Sequence, residues 1–328
     1  MMIGAHGTPV IAGANRLLGG ALRPVLVFAL CLFVLPLYAG SNPDWTASIT
    51  PFRIADNLYY VGSRDLSSYL VTTPAGNILI NANLDTSPAQ IRAGVEQLGF
   101  HWADIKIFLN SQAHFDHVGG AAQVLRETHA RNLVMEGDDS VMATGGRADF
   151  AFGDDITTGF TPTRVDGILH DGSTVTLGDP KHGGVVLIAH KTAGHTRGCA
   201  TFTFRSHVEG DPADKLRDIV IVGGVAALPH YRLLDSSGHP ASYPGIARDF
   251  DHTFATLHAL PCDIFLGAHG GYFDLLPKLD RMPKEGAAVF IDPAGYQSFI
   301  AHARQNFEAT LAAQRALAGQ RASSGGRV

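Results

Sequence analysis

The stretch NSQAHFDHVGG, residues 110–120, places an amide, two imidazoles and a carboxylate close together directly after an apolar run. These polar residues are Gln112, His114, Asp116 and His117. Imidazole and carboxylate are good zinc ligands, and a catalytic zinc uses about three protein ligands plus water. A lone histidine on a loop is usually solvated or hydrogen-bonded, but this cluster, with glycines behind it, predicts a metal cradle.

Two later segments also place a histidine beside a glycine at the end of an apolar run. His195 follows the predicted strand GVVLIAH, and His269 ends the predicted strand DIFLGAH. Three strand ends that each deliver histidine indicate one site at a single edge of the fold. The other histidines are interpreted as surface or structural residues. His190, which ends the strand GVVLIAH five residues before His195, is ambiguous, and we favour a structural hydrogen-bonding role for it.

These residues must be positioned by strands and helices that do not alternate as a regular βαβ series. Strands are predicted at LYYVGS, SSYLVTT, GNILINAN, IKIFLNS, GVVLIAHKT, CATFTFRS, RDIVIVGG and DIFLGAH. Helices are predicted at SPAQIRAGVEQLGF, at GGAAQVLRETHA, from about Tyr243 to Leu260, and after Asp292. The last of these carries an apolar stripe of Tyr296, Phe299, Ile300, Ala303, Phe307 and Leu311. The pattern predicts an α+β fold of two face-to-face sheets with helices outside.

The composition is that of a globular protein. The chain has 328 residues, of which 45% are apolar and 17% charged, and its formal net charge is −5. A sizeable core can therefore be buried. Because the sequence contains no run of lysine or arginine, a nucleic-acid partner is not expected.

Residues 1–40 are predicted to be a secretory signal peptide. Arg16 and Arg23 precede the apolar run Val25–Leu35, which is short for a membrane span, and small residues follow it. An uncleaved membrane anchor is the less favoured alternative. We therefore expect an exported, periplasmic protein without a stable membrane anchor. It would be a monomer with a single domain over residues 41–328 and a flexible tail from about residue 319. The mature chain would keep Cys199 and Cys262 as free thiols, because their positions are too far apart for a disulfide.

The motifs QAHFDH, AGHT and GAHG, in this order, resemble those of the metallo-β-lactamase superfamily, whose usual first motif is His-x-His-x-Asp-His. The resemblance runs from about residue 50 to 315 and implies an αβ/βα sandwich of two mixed β-sheets with two metals at one edge. The strand RDIVIVGG ends in Gly223 and Gly224, followed by Val225. Neither the bridging aspartate of glyoxalase-like and lactonase members nor the cysteine ligand of other β-lactamase subclasses stands there. What remains resembles subclass B3.

The resemblance also implies a set of zinc ligands. Metal 1 would be held by Gln112, His114 and His195, and metal 2 by Asp116, His117 and His269. Gln112 stands where the family usually has histidine, as in GOB-type members of the subclass. Because an amide oxygen is a weaker zinc donor than imidazole, one or two zinc ions are expected, with metal 2 the tighter. Whether Gln112 coordinates metal 1 or only hydrogen-bonds a water stays open.

The implied activity is hydrolysis of the β-lactam amide bond of penicillins, cephalosporins and carbapenems, which would confer antibiotic resistance. A metal-bound hydroxide would attack, and Asp116 would be the catalytic residue that holds it and passes a proton. One alternative is a hydrolase of the same fold that acts on another ester, lactone or amide, with only incidental β-lactam turnover. A second is a binding protein on a decayed site.

The residues that bind the substrate are not fixed by the sequence. His230, Tyr231 and Arg232 are candidates for contact with the carboxylate of a small-molecule β-lactam, against the alternative of an exposed loop. The segment ADFAFGDDITTGF is predicted to form a flap over the site. Its aromatic residues, Phe150, Phe152 and Phe160, would either contact substrate or form a satellite core.

Overall fold

The first sheet contains seven strands that follow one another in chain order. They are β1 (Phe52–Ala55), β2 (Leu58–Tyr60), β3 (Tyr69–Thr73), β4 (Gly76–Ile80), β5 (Ile105–Leu109), β6 (Arg131–Met135) and β7 (Gly167–Leu169). Neighbours are antiparallel from β1 to β4 and parallel from β4 to β7, so the sheet is mixed. This computed structural model describes residues 42–236 and 238–325. The predicted signal peptide, with Cys31, lies outside the described residues.

The second sheet contains five strands in the order β12-β11-β10-β9-β8. They are β8 (Ser173–Leu177), β9 (Val185–Lys191), β10 (Ala200–Ser206), β11 (Arg217–Val222) and β12 (Ile264–Gly267). Only β11 and β12 pair in parallel; the other neighbours are antiparallel. Because β11 and β12 run the same way, Gly223 and His269 leave the sheet at the same edge.

Seven α-helices accompany the sheets in the described part of the chain. They are α1 (Pro88–Gln97), α2 (Phe115–Val118), α3 (Ala121–Thr128), α4 (Asp139–Thr144), α5 (Ile246–Ala259), α6 (Leu275–Glu285) and α7 (Pro293–Gly325). Helix α7 begins where predicted. Oδ1 of Asp292 accepts a hydrogen bond from the Gly295 N–H at 2.8 Å, and Pro293 suits the first helical position because the N–H that proline lacks would have no partner within the helix. None of the described helices is both long and apolar enough to cross a membrane.

Each face of the first sheet covers a different apolar cluster. Ile78 and Ile80 face the large cluster shared with the second sheet, α5 and α7. Leu79, between them, faces a smaller cluster that it shares with residues of α1, α3 and α4. This alternation follows from the two-residue period of a strand. It gives the predicted architecture of two mixed sheets face to face with helices outside.

The structure differs from the sequence-based expectations in three places. Strands β1, β6, β7 and β8 were not predicted; β1, β7 and β8 are edge strands, and the polar residues of β8 carry little apolar signal. Residues 115–118 form the single turn α2, where a loop was expected. Helix α7 continues past residue 319 to Gly325, so regular structure does not end where a tail was expected. Gln320, Arg321 and Ala322 favour helix, and Gly319, at a cost of about 1 kcal/mol, does not end it.

Candidate metal centre

The three histidine-bearing segments meet at one edge of the sandwich. Residues 112–117 follow β5, His195 lies in the turn between β9 and β10, and His269 follows β12. The rings of His114 and His195 have centroids 4.8 Å apart, and those of His117 and His269 are 4.9 Å apart. The structure thus brings the predicted histidines together as two adjacent pairs.

One of these pairs, together with Asp116, forms a group suited to a metal ion. Single ligand atoms of Asp116, His117 and His269 all lie within 4.8 Å of one another. Oδ2 of Asp116 is 3.4 Å from Nε2 of His117 and 3.6 Å from Nε2 of His269. Donor atoms around a tetrahedral zinc, each about 2.0–2.1 Å from the ion, stand roughly 3.3 Å apart. Both ring nitrogens of His117 are buried without a hydrogen-bond partner, and a metal ion beside Asp116 would give Nε2 a partner.

The other pair carries the amide that replaces the usual histidine. Nε2 of His114 and Oε1 of Gln112 are buried and have no hydrogen-bond partner. Nδ1 of His195 donates to the carbonyl oxygen of Ala226 at 2.7 Å, which leaves Nε2 as the nitrogen with a free lone pair. An unpartnered buried amide oxygen can bind a metal ion or accept a hydrogen bond from water, so the structure is compatible with both predicted roles of Gln112.

The protonation states of the site favour metal binding. Burial lowers the pKa of His117 to about 4 and that of His195 to about 3, so both imidazoles are neutral at pH 7. Burial alone would raise the pKa of Asp116, but the neighbouring histidines, His117 first, lower it below the ordinary value. Neutral imidazoles and an ionised carboxylate are the forms that bind a metal.

Asp65 supports His269 and was not predicted from the sequence. Its Oδ2 accepts hydrogen bonds from Nδ1 of His269 at 3.1 Å and from Nε1 of Trp45 at 3.0 Å. Its Oδ1 accepts from the Gly271 N–H at 3.1 Å. The first contact places the proton of His269 on Nδ1 and turns Nε2 toward Asp116. The partners are 204 residues apart, and nothing in the local sequence marks Asp65.

Asp138 is a second supporting carboxylate that the sequence did not reveal. It accepts hydrogen bonds from the Ala113 N–H, the Thr196 hydroxyl and the Gly198 N–H, each at 2.8 Å. Burial raises its pKa to about 6 against these donors. Asp138 therefore ties the segment that carries His114 to the segment that carries His195.

The two positions after β11 require glycine because other residues of the site lie against their backbone. A Cβ at Gly224 would overlap the ring of His195, and one at Gly223 would approach Sγ of Cys199 to 2.8 Å. The Gly224 N–H in turn donates to Sγ of Cys199 at 2.9 Å. Cys199 and Cys262 are both free, as predicted.

The substrate-contact candidates fall in different places. Tyr231 is not on an exposed loop; it is buried, and its hydroxyl donates to the carbonyl oxygen of His195 at 2.7 Å. It lies inward because its ring packs against Phe150. His230 and Arg232 are exposed, and Nε of Arg232 donates to the carbonyl oxygen of Pro240 at 2.6 Å.

The aromatic residues of the predicted flap also separate. Phe152 lies at the site, with its ring 5.0 Å from that of His114. Phe150 packs against the large core cluster and Phe160 against the smaller one, so these two form satellite core. His190 bonds Oγ1 of Thr203 at 2.8 Å, which is the structural role that we favoured.

A cavity of about 470 Å³ opens over the histidines. Its apolar walls come from Trp45, Phe115, Phe152, Leu228 and Tyr272. This volume lies within the range of small-molecule sites, which are mostly apolar with a few polar groups.

Residues 62–208 match the family model described as the metallo-beta-lactamase superfamily. The native FEZ-1 metallo-beta-lactamase from Legionella gormanii is 43% identical, with a TM-score of 0.76 over 82% of this chain and 98% of that one. The class B3 di-zinc metallo-beta-lactamase LRA-12, from an Alaskan soil metagenome, is 36% identical, with a TM-score of 0.71 over 83% and 97%. BJP-1, a subclass B3 metallo-beta-lactamase of Bradyrhizobium japonicum, is 30% identical, with a TM-score of 0.74 over 84% and 98%. This likeness confirms the predicted αβ/βα sandwich.

Proposed function

Because this chain belongs to the metallo-β-lactamase superfamily, we propose that it is a subclass B3 zinc enzyme that hydrolyses the amide bond of β-lactams. The observation that supports this most directly is the group of Asp116, His117 and His269. Their donor atoms stand close to zinc spacing, and both nitrogens of His117 are buried without a partner. Such an activity would confer resistance to penicillins, cephalosporins and carbapenems.

In this proposal, Gln112, His114 and His195 hold metal 1, and Asp116, His117 and His269 hold metal 2. Zinc in these sites would polarise the lactam carbonyl and lower the pKa of a water molecule toward 7. Metal 2 would be the tighter site, because its ligands include a carboxylate while metal 1 depends on the amide of Gln112.

The protein groups have separate tasks around the reacting bond. The ionised carboxylate of Asp116 accepts a hydrogen bond from the attacking water, takes its proton and returns it to the ring nitrogen as the amide opens. The Ala226 carbonyl and the Asp65 carboxylate hold His195 and His269 in one tautomer each. The rings of Trp45, Phe115 and Phe152 wall the cavity, so the substrate nucleus would displace water on binding.

The cellular setting is part of the same proposal. The basic and apolar pattern of residues 1–40 supports export, and we propose a periplasmic monomer that meets small-molecule β-lactams there. Expression of the full chain in a bacterial host, followed by fractionation, tests this. Activity in the periplasmic fraction of a shortened chain would support export, whereas full-length protein in the membrane fraction would support an uncleaved anchor.

The function is tested by assaying a penicillin, a cephalosporin and a carbapenem while zinc is titrated into metal-free protein and bound metal is counted. Turnover that saturates at one zinc would place the working ion at Asp116, His117 and His269. Turnover that needs two would support a metal 1 site that includes Gln112. Tight zinc binding without turnover of any compound would refute β-lactam hydrolysis and favour a hydrolase of another ester, lactone or amide.

A further inference from the structure

A second cavity, which we call the α7 groove, adjoins the metal cavity. It has a volume of about 290 Å³ and lies between the loop after β11 and helix α7. Ala226 and Tyr272 line both cavities, so the two spaces share a wall. The Ala226 carbonyl is also the acceptor for His195 Nδ1, and the Tyr272 ring is 5.3 Å from the His269 ring. The α7 groove therefore begins directly beside the groups that hold the two histidines.

The walls of the α7 groove are apolar and aromatic. The rings of Tyr272 and Phe299 lie 4.8 Å apart on one side, and Ala227 and Ala303 add small side chains. The polar residues His302 and Asn306 are exposed. None of the residues that line the groove carries a carboxylate, ammonium or guanidinium group. A groove of this composition favours a neutral, apolar ligand group, since a charged one would lose hydration without gaining a partner.

We propose that the α7 groove binds an aromatic or other apolar arm of a β-lactam whose nucleus lies at the metal centre. This inference rests on the proposed function and adds a determinant of substrate preference to it. The groove's volume lies at the lower limit of small-molecule sites, which suits one arm of a ligand better than a whole drug. The two cavities adjoin at Ala226 and Tyr272, and Ala226 is exposed, so an arm could reach the groove by passing over this shared rim.

The test fills the α7 groove from helix α7. Ala303→Phe places a ring in the groove, where Ala303 is half-buried. Ala301→Phe is the matched control, because residue 301 is exposed and lies about 200° around the helix from residue 303. Benzylpenicillin and 6-aminopenicillanic acid share one nucleus and differ in the phenylacetyl arm. For each protein, the measured quantity is the ratio of kcat/KM for the two compounds, at equal bound zinc.

In the wild type and in Ala301→Phe, the ratio should favour benzylpenicillin. In Ala303→Phe it should fall by about tenfold or more, while turnover of 6-aminopenicillanic acid persists. An unchanged ratio, or an equal loss for both compounds, would overturn the α7 groove as an arm site and leave β-lactam hydrolysis standing. An unchanged ratio with an altered sedimentation coefficient would assign the groove to contact with a second copy. If the wild type hydrolyses neither compound, the proposed function fails and the arm site fails with it.

Discussion

Replacement of Asp65 by asparagine should weaken zinc binding without any change to a metal ligand. The two oxygens of Asp65 accept hydrogen bonds from Nδ1 of His269, Nε1 of Trp45 and the Gly271 N–H, at 3.0–3.1 Å. Asparagine keeps one acceptor oxygen, and its NH2 group must then face at least one of these donors. The lost contact is charge-assisted, and such bonds are roughly twice as strong as neutral ones.

The expected effect is set by the role of Asp65 as an orienting partner. Loss of such a partner reduces metal affinity by roughly tenfold to a hundredfold, or about 1.4–2.8 kcal/mol. Titration of metal-free protein against a chromophoric zinc chelator measures this affinity without reference to substrate. The tighter of the two binding steps should weaken, since His269 belongs to metal 2 in the proposed assignment.

Asp44→Asn is the matched control for Asp65→Asn. Asp44 pairs with Arg64 at 2.7 Å, next to Asp65 in space, but both side chains are about 40% exposed and neither contacts a proposed ligand. Exposed pairs contribute little to stability, so this variant should bind zinc as the wild type does. If Asp65→Asn, folded by circular dichroism, also keeps wild-type zinc affinity, Asp65 does not position His269 and the reasoning is wrong.

Three further predictions concern the site and the fold. Gln112→His should tighten the weaker zinc step in the same titration, whereas an unchanged step would mean that residue 112 does not coordinate. Asp138→Ala should cost about 2–5 kcal/mol of unfolding free energy in urea, because two N–H groups and the Thr196 hydroxyl lose their acceptor. Burial on its own would raise the pKa of Asp292. The contact with Lys278, 2.8 Å away, and the hydrogen bond from the Gly295 N–H outweigh burial, so the net shift of the pKa is downward. The stability from this lowered pKa is complete above the unfolded pKa of about 4 and lost as pH falls through the folded value. Asp292→Asn should therefore flatten the acid limb of stability measured by urea unfolding from about pH 2 to 5, and an equally steep limb would refute this.

The proposed ligands could be predicted from the sequence because metal binding restricts residue type. His114, Asp116 and His117 stand out because few other functions place those side chains so close after an apolar strand. His195 and His269 repeat the pattern at other strand ends, and the apolar runs before them indicate which residues reach the edge of a sheet. The structure brings these residues together as that reasoning required.

The supporting carboxylates could not be found in the same way. An aspartate is common in any polar loop, and its role depends on a partner that only folding supplies. Asp65 and His269 are 204 residues apart, and Asp138 and Gly198 are 60 apart. Tyr231 shows a related limit: the sequence offered it as a substrate contact or as part of an exposed loop, but the Phe150 ring and the His195 carbonyl hold it inside.

Residues that determine substrate preference are still harder to predict from the sequence than the metal ligands, because their role depends on neighbours that only folding supplies. The α7 groove is formed by Ala226 and Ala227 on one segment and by Phe299 and Ala303 on a helix that follows much later in the chain. Alanine carries no sequence signal for binding, and the apolar stripe of α7 is explained by core packing alone. The α7 groove exists because a gap of about 290 Å³ separates the two segments, and this gap exposes side chains of a type usually found in a core. Enzymes with the same ligand motif can therefore differ in preference through residues that the motif does not constrain, and Ala303→Phe tests one such residue directly.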